Sequence, residues 1–315
     1  MTRNDHIDAT VVAFADQVGA SDPVAVAGGR TRWSLGGSLE PRARIVSAPS
    51  GIVDYQPAEM VVTVRAGTPV AELHDQLRHH GQITALPERF DPATGQLGTV
   101  GGAIAVGENR LDRLGRGSVR DAVLQVRYVS AEGQVITGGG PVVKNVSGYN
   151  LPKLMVGSLG CLGLIAEVVL RTNPIPPVQR WLIGTGVDPI EVRDALYRPG
   201  ALLWDGNTVW ALLEGHRADV DEQHRQLSQL GDFVDGTPPE LPPHRHRLTP
   251  AEAAQANQTF DGRFVASLGV GTVFADRPAQ PAALAPNVVR IAQRAKAVFD
   301  PTGRLNPGRN AERRS

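Results

Sequence analysis

At 315 residues the chain exceeds the usual size of one hydrophobic core, so two domains, or one domain with a large insertion, are expected. A hydrophobic content of 41% and a charged content of 20% are globular values, and 32 basic against 32 acidic residues give no global pull towards nucleic acid or an anionic membrane, so any anion site must be local. A single cysteine, Cys161, excludes an internal disulfide and any cysteine-rich zinc or iron–sulfur centre within the chain.

A short amphipathic helix is expected over Ile7 to Val18, followed by a strand at Pro23 to Ala27. Directly after that strand, Gly28-Gly29-Arg30-Thr31 forms a turn that exposes consecutive backbone N–H groups able to hold a pyrophosphate, although a plain tight turn would also explain the glycine pair. Met60 to Arg65 reads as a second strand. Thr68 to His80 reads as a helix, with Thr68 as N-cap, Pro69 at the first helical position, Val70, Leu73 and Leu77 on one face, and Gly81 closing it.

Next comes GQLGTVGGAIAVG, Gly95 to Gly107, where Gly98, Gly101 and Gly102 would let main chain pass close to a ligand; a glycine-rich connection between strand and helix is the alternative. Gly115 to Asp121 leads into a strand over Val119 to Val129, with Asp121 expected to form an ion pair or cap a turn. Val143 to Arg171 follows, reading VKNVSGYNLPKLMVGSLGCLGLIAEVVLR, in which glycines at 148, 157, 160 and 163 alternate with an apolar stretch that reads as a buried strand. Ser158 and Glu167 interrupt this best candidate for a membrane span, and the N-terminus lacks a secretory pattern, so a cytoplasmic location is expected.

Pro174, Pro176 and Pro177 mark a boundary. Beyond it a small α/β cap is expected, with a strand at Trp181 to Gly184, a helix at Pro189 to Tyr197, strands near Leu202 and Val209, and a polar helix at Ala218 to Leu230. The proline-rich Gly236 to His246 reads as an exposed loop, and a helix at Asn287 to Phe299 returns to the first domain. The expected division is therefore 1–174, 175–285 and a returning segment 286–315. Near the end, FDPTGRLNPGR, Phe299 to Arg309, contains two consecutive turn formers that would fix Asn306 rigidly.

The order K-N-x-x-G-Y, then G-S-x-G-x-L-G, then a strand resembles the FAD-binding domain of the vanillyl-alcohol oxidase and p-cresol methylhydroxylase flavoproteins. Within that family the chain is most similar to the smaller FAD-binding subunit of bacterial glycolate oxidase. The resemblance covers residues 20 to 175, weakens beyond them and returns at Phe299 to Arg309. It implies an α+β, two-subdomain FAD-binding domain with a small cap, in keeping with the excess of strands over helices. It also implies non-covalent FAD contacts from Gly28, Gly29, Arg30, Thr31, Pro87, Gly98, Thr99, Val100, Gly101, Gly102, Ser118, Val119, Gly160, Ile165 and Asn306. Relatives carry a glycine or a small polar residue where Arg30 sits. Covalent members attach FAD through a histidine near this loop, where this chain has Arg30 and Trp33. Lys144 is a candidate cation beside the flavin, where it would stabilise the reduced ring, a solvated lysine being the alternative.

No dinucleotide fingerprint, Walker loop, HExxH or GxSxG is present, and Cys161 reads as a small buried residue. His244 and His246 flank Arg245 with no carboxylates to complete a metal site, so none is expected. The resemblance implies an FAD-dependent oxidoreductase component acting on a small 2-hydroxy acid such as glycolate. It would work with a larger FAD-binding subunit and an iron–sulfur subunit, which could bring it to a membrane. No catalytic base or carboxylate-binding arginine can be named, so the alternative is an FAD-binding structural or electron-relay subunit.

Overall fold

The computed structural model describes residues 7–140, 150–278 and 285–311, and it places them in two units: 1–109 with 118–174 and 283–314, and 110–117 with 175–282. Lys144 and Gly148, singled out in the sequence, lie outside the described residues.

In the first unit, helix Ala9–Val18 opens on Asp8, whose carboxylate accepts from the N–H groups of Thr10 (2.8 Å) and Val11 (3.0 Å). Val11, Phe14, Ala15 and Val18 form its buried face. Strand Val24–Val26 pairs in parallel with Arg44–Val46, and Leu305 adds a parallel bridge to Val24, so the returning C-terminal segment completes this small layer. The main sheet has six strands: Ile52–Gln56, Val61–Arg65, Leu164–Pro174, Val123–Val129 and Val135–Gly139 in that order, with Gln82–Thr84 against the far end of Leu164–Pro174.

The central strand Leu164–Pro174 is buried along most of its length, which explains its unbroken apolar run. Glu167 within it is 2% exposed and meets Arg127 at 2.6 Å. Burial pushes the Glu167 carboxyl above its usual range, against the pull of Arg127. Val62, Val64, Leu73, Ile104, Val126 and Leu170 belong to the core beneath this sheet.

Two local expectations are corrected here. The helix is Val70–Arg78 and Thr68 does not cap it: its hydroxyl instead accepts from Gly51 N at 2.8 Å, tying the preceding loop down. The strand proposed for Val119–Val129 begins at Val123, because the Ser118 hydroxyl accepts from Asp121 N (3.1 Å) and closes a helical turn over Val119–Ala122.

The second unit is built on a seven-stranded, wholly antiparallel sheet. Its order is Phe233–Gly236, Val178–Thr185, Thr208–Gly215, Ala201–Trp204, Phe264–Ser267, Thr272–Ala275 and His244–Arg247. Leu182, Leu202, Leu213, Val220 and Leu227 lie in its core with the inner faces of helices Pro189–Ala195 and Arg217–Leu227. The expected loop from Gly236 to His246 is only partly a loop. His244–Arg247 pairs with Thr272–Ala275, and His246 places its ring edge-on to Phe260 with centroids 4.7 Å apart. Residues 110–117 belong to this unit, although the sequence places them with the first. Gly115 N donates to Gly200 O (3.3 Å), and buried Arg116 pairs with Asp112 (2.5 Å) and Glu214 (3.2 Å).

Among the described residues no helix is long and apolar enough to cross a membrane.

Candidate functional site

The first unit contains a cleft of about 1080 Å³, the open solvent at its mouth included, whose walls come largely from five segments, with Ala48, Ala66 and Gly67 between them. The turn after strand Val24–Val26 supplies Gly28, Gly29, Arg30 and Thr31. Pro87 and Arg89 come from the loop after Gln82–Thr84. Helix Val100–Val106, with its N-cap Thr99, supplies Gly98, Thr99, Gly101 and Gly102. Leu159, Gly160 and Ile165 come from the entry to the central strand, and Asn306 and Arg309 from the C-terminal turn.

Glycine is what lets these segments meet. A Cβ on Gly29 would fall 1.7 Å from Leu97 O, so the first turn can touch the third segment only without a side chain. Gly160, at φ +71, packs so closely on Asn306 that a Cβ would lie 2.1 Å from its Nδ2. Asn306 is itself in the left-handed region (φ +44), buried, and bonded in two directions: Nδ2 donates to Leu159 O (2.8 Å) and Oδ1 accepts from Val26 N (3.2 Å). One amide thus clamps the first, fourth and fifth walls. Gly101 N donates to Ala66 O (2.7 Å), and a Cβ there would meet Ala66 Cβ at 2.8 Å. Gly102 differs: its Cβ would meet only Thr99 Oγ1, at 3.1 Å, so its free side faces the cleft.

Of the residues expected to form a site, the cleft brings together Gly28 to Thr31, Pro87, Gly98, Thr99, Gly101, Gly102, Gly160, Ile165 and Asn306. Val100, Ser118 and Val119 are not among its lining residues. Val100 is fully buried in the core, Ser118 bonds Asp121 Oδ2 at 2.6 Å, and Val119 N donates to Asn109 Oδ1 at 2.9 Å. Asp121 pairs with Lys153 at 3.5 Å. Cys161 is buried, and burial pushes its thiol up.

Sequence reasoning missed the charges in the walls. Glu108 is buried between two guanidinium groups: Arg89 bonds one carboxylate oxygen and Arg32 Nε bonds the other at 3.2 Å. Burial lowers the Arg89 pKa, and Arg32 adds to that effect against the opposing attraction of Glu108. Arg30 and Arg309 both lie over the ring of Trp33, 5.1 and 4.8 Å from its centroid. The one available signal was position, since Glu108 directly follows Gly107, the left-handed residue that ends helix Val100–Val106.

The donor set fits a dinucleotide cofactor. The cleft lining carries four arginines and one carboxylate, a local positive surplus in a chain with no net charge, and Arg89 Nε is buried without an acceptor among the described residues. Among the described residues the lining contains no histidine and no cysteine to which a flavin could be covalently linked.

Residues 5–139 match the model of a family described as the FAD binding domain. The chain is 32% identical over 238 residues to glycolate oxidase subunit GlcE of Escherichia coli K12, covering 74% of this chain and 67% of that protein. It is 32% identical over 164 residues to a D-2-hydroxyglutarate dehydrogenase of Xanthomonas citri pv. viticola, covering 51% of this chain and only 34% of that enzyme. Among solved structures, an alkyldihydroxyacetonephosphate synthase superposes with a TM-score of 0.65 at 14% identity, over 94% of this chain and 73% of that one, a likeness of fold. Fold, cleft and relatives agree: the chain belongs to the FAD-binding domain family of the vanillyl-alcohol oxidase and p-cresol methylhydroxylase flavoproteins, a family of FAD-linked oxidoreductases.

Proposed function

We propose that this chain holds FAD non-covalently in the glycine-walled cleft and serves as the smaller FAD-binding subunit of a glycolate oxidase-like complex oxidising a small 2-hydroxy acid. The observation that carries the reading is the joining of distant segments around one cleft whose described lining is rich in arginine. Its likeness to a protein named as a glycolate oxidase subunit, across two thirds of that subunit, supports the substrate class.

FAD supplies a two-electron acceptor when bound. The chain's own residues do the holding. Backbone around Gly28 to Thr31 and Gly98 to Gly102, the side chain of Thr99, and the walls at Pro87, Gly160, Ile165 and Asn306 are the proposed contacts. Arg32 and Arg89 add positive charge that Glu108 keeps in place. The second unit, 175–282 with 110–117, is proposed as the reduced counterpart of a substrate cap, with a larger FAD-binding subunit and an iron–sulfur subunit as cytoplasmic partners.

One observation favours a narrower role, in which the chain binds FAD without oxidising substrate itself. The only carboxylate lining the cleft among the described residues, Glu108, is engaged by two arginines, which suits a counter-ion better than a proton acceptor. Purified chain should carry flavin absorbance between 350 and 500 nm. Anaerobic addition of glycolate or D-lactate then separates the readings: bleaching of the isolated chain removes the narrower role, bleaching only with partner subunits removes independent activity, and a colourless chain removes both.

A further inference from the structure

We propose that Arg30 and Arg309, set against Trp33, form an anion subsite of the cleft, which takes a phosphate or carboxylate group of a bound ligand. This rests on the reading of the cleft as the flavin site.

Three observations lead to it. Arg30 is one of four non-glycine residues with positive φ among the described residues, at +52. A long side chain in the left-handed region is disfavoured, so the turn keeps Arg30 against its own backbone preference. That conformation sends the guanidinium over Trp33.

Second, Arg309 converges on the same ring from the far end of the chain. It is held there by donating Nη1 to Leu35 O at 2.8 Å and to Gly37 O at 2.5 Å. Two like charges on one indole repel each other, and the ring offsets this only in part.

Third, the charges of the cleft divide into two groups. Arg32 and Arg89 share Glu108, whereas among the described residues no carboxylate pairs with Arg30 or Arg309. The unneutralised pair is therefore where an anion gains most. Guanidinium groups held by aromatic and carbonyl contacts are already oriented, so little conformational freedom is lost on binding.

The anion could be the diphosphate of the cofactor or the carboxylate of a 2-hydroxy acid, and the test separates them. Arg30→Gly removes the charge and relieves the backbone, so it should melt at or above the wild-type temperature while binding anions less well. With flavin stripped from the full chain, FAD and riboflavin are titrated by quenching of flavin fluorescence, and glycolate by its perturbation of the bound flavin spectrum.

A diphosphate site predicts a loss of about tenfold or more for FAD with riboflavin unchanged; a carboxylate site predicts the same loss for glycolate with FAD unchanged. Arg309→Lys, which keeps a charge but not the fork, should lose less in the same arm. The proposal fails if neither arm changes, if riboflavin weakens in step with FAD, or if the loss comes with a lower melting temperature. Wild-type chain that binds neither FAD nor riboflavin rejects the flavin reading instead, and Arg30→Gly is then compared with wild type for inorganic pyrophosphate and glycolate, under the same tenfold criterion.

Discussion

The first unit and the second are stabilised by different means. In the first, buried polar groups hold loops in place: Asn306 joins three walls, Thr68 ties one loop to another, and buried Arg304 donates to the carbonyls of Asp22 (2.9 Å), Ala131 (3.0 Å) and Val18 (2.8 Å). The second relies on an antiparallel sheet over an apolar core, and its buried charges cluster around Arg116. A site assembled from distant loops needs directional bonds, because apolar contact alone does not specify where a loop stops. A sheet specifies its own register.

Substitutions can test that contrast. The largest effect is expected from Gly160→Val, which drives a side chain into Asn306 at a left-handed position: a loss of about 4 kcal/mol in chemical denaturation, together with flavin. Leu213→Ala, in the fully buried core of the second unit, should cost about 3 kcal/mol yet leave flavin bound to the folded protein. Flavin release from Leu213→Ala well below its melting temperature would break the distinction.

Asn306→Ala, which leaves Leu159 O and Val26 N without their partner, should cost about 2 kcal/mol and weaken flavin binding more than stability alone explains. Asp8→Ala, a helix cap outside the cleft, should cost about 1 kcal/mol at neutral pH with flavin affinity unchanged.

Asp8 also sharpens the contrast through pH. Burial raises its pKa, but the hydrogen bonds from Arg65, Val11 and Thr10 outweigh this and bring it from 3.8 to about 2. A lowered carboxylate pKa contributes stability above the unfolded value that is lost as pH falls through the folded one, so the wild type should lose the Asp8 contribution between about 3.8 and 2. Glu167 has the opposite sign: its raised pKa favours the folded state at acid pH and withdraws that contribution as pH climbs past the ordinary glutamate range. Melting curves of Asp8→Asn and Glu167→Gln from pH 2 to 7 should show the two slopes separately.

The fold was legible where the sequence is locally emphatic. The apolar run into Arg171 read as a buried strand, and the strand is there, whereas the helix that Thr99 caps over Val100–Val106 was read only as a glycine-rich segment. The charged walls were not legible, because Glu108 meets partners 19 and 76 residues away and no local pattern announces them. Nor was the division of labour among the glycines. Gly101 and Gly102 both line the cleft, but the missing side chain at Gly101 makes room for Ala66, whereas at Gly102 a Cβ would meet only Thr99 Oγ1. The membership of residues 110–117 was hidden for the same reason, since sequence position puts them in the first domain and only Glu214, 98 positions on, ties Arg116 into the second.

Asn306 carries a consequence for biosynthesis. The carbonyl it grips belongs to Leu159, 147 residues earlier, and Arg309 lies later still. A ribosome that has translated every glycine of the first four walls has still made a cleft open on one side. On the proposed reading, flavin capture waits until the turn at Asn306 has left the exit tunnel and folded back beside Val24, so cofactor loading follows translation of all five walls rather than aiding the folding of the early chain.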